Sequence, residues 1–258
     1  MLIRSASGLR GIAKDHFTPE LIDKYISAFI NTQNIKSCVI GRDGRPSGKQ
    51  ITLWVIDSLH KKGINVDNCG LATTPTMQIM TEKENYDGGI VITASHNPSE
   101  YNGLKFLQND GTFLSPEQCE ELFKAVDQNI SVENSESLGL VLDYSTANKE
   151  HIHKVLSAKC IGVESVIQKK FTVVIDAVNG AGSYILPTLC EQLGCKVITM
   201  NCKGDGNFTR IPEPLAENLQ SLEKKVLEVG ADIGFATDPD GDRLSIVSNN
   251  GTAIGEEY

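Results

Sequence analysis

Short β-branched runs alternate with segments of helical period along almost the whole chain. This alternation restricts the fold more than any other feature of the sequence. Ser37-Cys38-Val39-Ile40, Ile64-Asn65-Val66 and Ile90-Val91-Ile92-Thr93 read as strands. Between the first two, Ile51, Val55 and Leu59 step along one face of a helix. The pattern restarts with strands at 171–176, 196–200, 233–236 and 244–247. Helices through Ile185, Leu189 and Leu193 and through Leu219, Leu222, Val226 and Val229 separate them. Such alternation predicts α/β layers with loops gathered at strand ends.

Local signals place the helix starts. Thr18-Pro19-Glu20 combines a capping hydroxyl, a first-turn proline and an acid. Ser115-Pro116-Glu117-Gln118 reads as a capping box, and Ser47 with Gln50 as another. A further helix is expected near Thr73-Thr74-Pro75-Thr76. Residues 129–145 are polar and read as a connector, followed by a helix near 148–156. His151 and His153 on that helix point to different faces and read as solvated side chains, not as ligands. The expected domains are 1–146 and 147–258. No repeat in the sequence is sharp enough to show that they are copies.

Two loops carry candidate chemistry. After the strand ending at Thr93, the small polar loop Ala94-Ser95-His96-Asn97-Pro98 presents a serine beside a histidine. Its residues fit an ordinary satisfied turn as readily as a reactive loop. After Ile233-Gly234-Phe235-Ala236 comes Asp238-Pro239-Asp240-Gly241-Asp242-Arg243. Carboxylates at every second position can converge on a hard cation, and left alone they would repel. The loop is no EF-hand, which wants Gly sixth and Glu twelfth where this chain has Arg243 and Asn249. A Mg²⁺ on three protein ligands would keep open positions for phosphate oxygens.

Composition removes several alternatives. A net charge of −9 disfavours nucleic-acid binding, which depends on Lys and Arg neutralising phosphates. It leaves a phosphorylated substrate open, since a bound metal can outweigh the global sign. No basic-then-apolar leader and no run of about 18 apolar residues suggests a membrane span. The seven cysteines are scattered without a Cys-x-x-Cys pair, as expected of thiols in a reducing cytoplasm and not of a zinc site.

Five motifs in order resemble the α-D-phosphohexomutases, the family of phosphoglucomutase, phosphomannomutase and phosphoglucosamine mutase. They are Ser7-Gly8-Leu9-Arg10-Gly11, Gly41-Arg42-Asp43-Gly44-Arg45-Pro46-Ser47-Gly48, Thr93-Ala94-Ser95-His96-Asn97-Pro98, Asn102-Gly103-Leu104-Lys105-Phe106 and Asp238-Pro239-Asp240-Gly241-Asp242-Arg243. The resemblance implies two consecutive α/β domains with mixed sheets sandwiched by helices. It also implies that the domains are copies of one another, and that an isomerase interconverts hexose 1-phosphate and 6-phosphate. Ser95 would be phosphorylated in the resting enzyme. Asp238, Asp240 and Asp242 would hold Mg²⁺ with a phosphoserine oxygen from Ser95. Lys105 would be the general base, which calls for a lowered pKa. Arg10 and Arg243 would bind phosphate, and His96 would orient the substrate, assist proton transfer or serve as a structural hydrogen-bonder to its own loop. A hexose 1,6-bisphosphate would be intermediate and activator. Arg42 and Arg45 read as structural partners of Asp43 ahead of substrate contacts.

The resemblance departs from the family in extent. Members carry a third domain with a sugar-recognition loop and a fourth with a phosphate loop, which do not fit after Tyr258. Gly255-Glu256-Glu257-Tyr258 reads as the start of a connection to a third domain. The expectation is therefore an N-terminal fragment whose partners are the missing C-terminal domains and a phosphorylated hexose. Alone it should bind metal weakly, accept phosphate on Ser95 poorly if at all, and show negligible mutase turnover. The competing readings are a metal-dependent phosphatase, which would release free phosphate, and a non-catalytic sugar-phosphate or metal binding module.

Overall fold

A strand buried on both faces needs apolar side chains pointing both ways, and the central strands of this chain have them. In the computed structural model, which describes residues 2–84 and 86–255, Cys38, Ile40, Ile90 and Ile92 face one cluster while Val39 and Val91 face another. The chain divides into two units. One comprises Met1–Ala94 with Glu100–Ala147, the other Ser95–Ser99 with Asn148–Tyr258.

The first unit runs β1 (Ile3–Ser5), β2 (Gly8–Ile12), the single turn α1 (Ala13–His16), α2 (Pro19–Gln33), β3 (Ser37–Arg42), α3 (Gly48–Lys61), β4 (Asn65–Leu71), α4 (Thr74–Lys83), β5 (Gly88–Ile92), β6 (Tyr101–Gln108), α5 (Pro116–Asp127) and β7 (Val141–Asp143). Its sheet has the order β1-β2-β6-β5-β3-β4-β7. β3 is parallel to β4 and β5, whereas β6 is antiparallel to β5 and to β2. Tyr25 and Phe29 of α2, Val55 and Leu59 of α3 and Leu122 of α5 cover one face. Met77 and Met80 of α4 cover the other.

α6 (Ala147–Leu156) leads into the second unit, with α7 (Val163–Lys169), β8 (Thr172–Asp176), α8 (Gly182–Gln192), β9 (Lys196–Met200), α9 (Gln220–Val229), β10 (Ile233–Thr237), β11 (Leu244–Ser248) and β12 (Ala253–Gly255). A single 3₁₀ turn, Ala216–Asn218, precedes α9. The sheet order is β12-β11-β10-β8-β9. Val174, Ala236 and Val247 pack on Leu222 and Val226 of α9; Val173 and Ile175 pack with Cys190 of α8. Both sheets are therefore mixed and covered by helices on two faces.

The two units repeat one plan. β6-β5-β3-β4 and β11-β10-β8-β9 share order and strand directions. The helices follow suit, α3 and α8 after the first strand, α4 and α9 after the second. In each, the chain leaves the first strand to one side and returns on the other. The crevice at the carboxyl ends of two parallel strands whose connections diverge is where open α/β sheets bind ligands. Here those strands are β3 with β5 and β8 with β10.

Several local expectations need correction. The two glycines of Ser7–Gly11 suggest a tight turn, but the segment is mostly strand: only Ala6 and Ser7 turn, and Gly8 lies at φ 107° where a Cβ would meet the Leu104 carbonyl at 2.0 Å. Ser47 caps nothing, because its own backbone is already helical (φ −69°, ψ −19°); its hydroxyl accepts from Asn102 Nδ2 at 2.9 Å. The Ser115–Gln118 box, in contrast, forms in both directions. The connector contains β7, whose three exposed residues are too few to show a period. α7 was also unanticipated. His151 is half-buried, with its pKa lowered by burial and by Lys154, so it is not simply solvated. Residues 256–258, and so most of the proposed Gly255–Tyr258 connection, lie outside the described residues.

Candidate active site

In the first unit the end of β3 organises the strand that leads to the serine loop. Asp43 and Arg45 are fully buried and paired, Nε to Oδ2 at 3.0 Å. Asp43 also accepts the Arg45 N–H at 2.9 Å and the Thr93 hydroxyl at 2.6 Å. Thr93 follows β5 directly, so this pair fixes the exit from the strand. Arg42 donates to the Asp43 carbonyl at 2.8 Å, which gives both arginines structural contacts. Arg10 stands opposite Gly103 across β2 and β6, and Lys105 lies two residues further along β6. Opposite residues and alternate residues share a face, so Arg10 and Lys105 emerge on the same side of the sheet. Lys105 is buried, with Nζ 5.5 Å from the centre of the Phe113 ring.

The serine loop groups with the second unit. Ser95 adopts φ 50°, a left-handed conformation uncommon outside glycine and often found at functional loops. Its Oγ donates to Asp238 Oδ2 at 3.2 Å and lies 3.4 Å from His96 Nδ1. Asp238 follows β10 and is buried. Its Oδ1 accepts the N–H groups of Asp242 (3.1 Å) and Arg243 (3.2 Å), and its carbonyl accepts from Gly241 at 3.2 Å. These bonds curl the loop back on itself. One carboxylate oxygen each from Asp238, Asp240 and Asp242 comes within 4.8 Å of the others.

Asp238 and Asp240 are buried and Asp242 is exposed. Burial, followed by repulsion from Asp240 and Asp242, holds the Asp238 carboxyl well above the usual carboxylate range. A divalent cation would reverse that balance, because it favours the charged form of all three acids. Three convergent hard oxygens are the donor set of a Mg²⁺ or Ca²⁺ site and suit no soft metal. Arg243 is engaged by Glu213, Nη1 to Oε1 at 2.6 Å, a partner the sequence reading missed.

That reading also missed Asp176 and Arg210. Asp176 ends β8 as Asp43 follows β3, and Arg210 bonds both Asp176 and the Thr237 carbonyl. The signal was an acid closing an apolar strand, repeated in both halves. Gly182 lets its helix pack closely on the neighbouring strand: a Cβ there would lie 3.0 Å from Thr237 Oγ1 and 3.6 Å from the Ala177 side chain. Among the described residues all seven cysteines are free, and no helix is long and apolar enough to cross a membrane.

Residues 1–133 match the family described as "Phosphoglucomutase/phosphomannomutase, alpha/beta/alpha domain I", and residues 149–251 match its domain II. A "Phosphoglucomutase/phosphomannomutase" of Thermococcus kodakarensis is 40% identical over 96% of this chain and 55% of its own length. A "Probable phosphoglucosamine mutase" of Methanopyrus kandleri is 35% identical over 96% of this chain and 54% of its own. The crystal structure of a phosphoglucomutase/phosphomannomutase family protein from Burkholderia thailandensis superposes with a TM-score of 0.80 at 28% identity. It covers 98% of this chain and 57% of that one. The chain thus spans about half the length of the curated relatives it matches.

Proposed function

The chain belongs to the phosphoglucomutase/phosphomannomutase family, the α-D-phosphohexomutases, and we propose that it supplies the phosphoserine and metal loops of an enzyme interconverting hexose 1-phosphates and 6-phosphates. Residues 1–146 contribute the phosphoserine loop and residues 147–258 the metal loop. The hydrogen bond from Ser95 Oγ to Asp238, 3.2 Å long, carries this reading. It puts the atom that would bear the phosphate beside three converging carboxylates.

Asp238, Asp240 and Asp242, with an oxygen of phosphorylated Ser95, are the residues that would hold Mg²⁺. When bound, the ion supplies charge neutralisation at the transferring phosphoryl group. The remaining roles fall to the chain itself. A sugar hydroxyl attacks the phosphorus, the bond to Ser95 Oγ breaks as the new ester forms, and Lys105 takes the hydroxyl proton. Arg10 and Arg243 bind phosphate oxygens, the planar guanidinium matching two of them at once. His96 orients the substrate. The hexose bisphosphate then returns its other phosphate to Ser95, and Lys105 gives back the proton. The sugar is glucose, mannose or glucosamine phosphate, and the partners are the further family domains. Free thiols throughout suit a cytoplasmic location.

Incubating the chain with glucose 1,6-bisphosphate and Mg²⁺ tests this. Intact mass should show slow uptake of one phosphate, mapped to Ser95 and absent from Ser95→Ala. Equal uptake by the variant, or phosphate mapped to a residue other than Ser95, refutes the proposal. Steady release of inorganic phosphate would favour a phosphatase instead.

A further inference from the structure

The acidic loop is gripped on both sides of Asp238 by residues outside it. Arg210 lies in the turn-rich stretch before Pro214, yet its side chain is only 9% exposed. Its Nε is 3.2 Å from Asp176 Oδ2. Nη2 donates to the Thr237 carbonyl at 2.8 Å, and Nη1 to the carbonyls of Ile211 at 3.1 Å and Pro212 at 3.3 Å. Thr237 immediately precedes Asp238.

Asp176 also acts on the other side. Its Oδ1 accepts the Val178 N–H at 2.9 Å, and Asn201 donates to Oδ2 at 3.1 Å. Val178 sits at φ 46°, a left-handed conformation that strains a β-branched residue, and Asn179 follows at φ 56°. This turn delivers the next two residues against Pro239. The Ala181 N–H donates to the Pro239 carbonyl at 2.7 Å, and a Cβ at Gly180 would lie 2.4 Å from that oxygen. One buried carboxylate therefore fixes Thr237 through Arg210 and Pro239 through a strained turn.

We propose that Asp176 and Arg210 are positioning residues for the metal loop, so that divalent-cation affinity depends on a guanidinium that binds no metal. The inference rests on the metal-site reading above. Its sign distinguishes it from plain electrostatics. Removing a positive charge near an anionic site strengthens cation binding by Coulomb's law. Losing the support that aims the ligands weakens it. Lysine keeps the charge but not the planar fork that reaches four acceptors.

The test is Mn²⁺ binding to the 258-residue chain, followed by electron paramagnetic resonance of the free ion well below the unfolding transition. The Kd reports only folded molecules, so a purely structural role would lower the melting temperature and leave it unmoved. Arg210→Met should weaken binding by about 10-fold or more, the usual cost of removing a residue that orients metal ligands. Arg210→Lys should fall between. An unchanged or tighter Kd in Arg210→Met overturns the proposal. Should that variant fail to fold, Arg210→Lys decides: a weakened Kd supports the proposal and the parent's Kd overturns it. Asp240→Asn is measured alongside. If the parent shows no saturable binding, or Asp240→Asn binds as well as the parent, the metal reading falls and the positioning pair with it. If Asp240→Asn loses binding while Arg210→Met keeps it, only the positioning pair falls.

Discussion

Replacing Asp240 by Asn should stabilise the metal-free protein at neutral pH while removing its affinity for divalent cations. The triad brings carboxylate oxygens within 4.8 Å of one another, two of them on buried residues. At that separation and an effective dielectric of about 20, each charged pair costs about 3.5 kcal/mol. Burial and this repulsion hold the Asp238 carboxyl well above the usual carboxylate range, which offsets part of that cost. The gain from the variant should therefore be about 1–3 kcal/mol, which for a unit of this size raises the melting temperature by roughly 3–10 °C. The pH dependence has a definite sign. An acid whose folded pKa is raised binds more protons folded than unfolded, so stability is highest at low pH. It falls as pH climbs from about 4 through the folded pKa. Thermal unfolding with a chelator between about pH 4.5 and 7.5 should show this slope in the parent chain and a flatter one in the variant. Adding Mg²⁺ should raise only the parent's transition, by mass action. A variant less stable than the parent at neutral pH without metal, or a parent whose stability ignores pH, would refute the account of repelling carboxylates.

Arg45→Leu strands the buried Asp43 charge and should cost about 3–5 kcal/mol, measured as a drop in the urea midpoint of the first unit. Ser115→Ala removes the hydroxyl that caps α5, and with it about 1 kcal/mol of stability, with no change in Mn²⁺ affinity.

Helices and strands were legible wherever local rules govern. The Thr18 cap and the Ser115 box appear where expected because each satisfies backbone groups within three residues. Ser47 satisfied the same pattern and failed, because Asn102, distant in sequence, takes its hydroxyl and its backbone is already helical. β7 went unread for a related reason: three exposed residues become a strand only because β4 offers an edge. The acidic loop was readable because its carboxylates recur within five residues. The grip on that loop was not.

The order of motifs alone determined the family and the α/β class and singled out the serine and the aspartates as candidates, because each signature is a short run of residues that constrain one another locally. Tertiary structure decided what those residues touch. Arg210, Asp176, Glu213 and Thr93 look ordinary along the chain. Their partners lie 27 to 50 residues away in sequence and become neighbours only when the folded sheet brings its strand ends together. Burial does the rest: charges withdrawn from water must find a partner, and which partner is a property of the folded sheet.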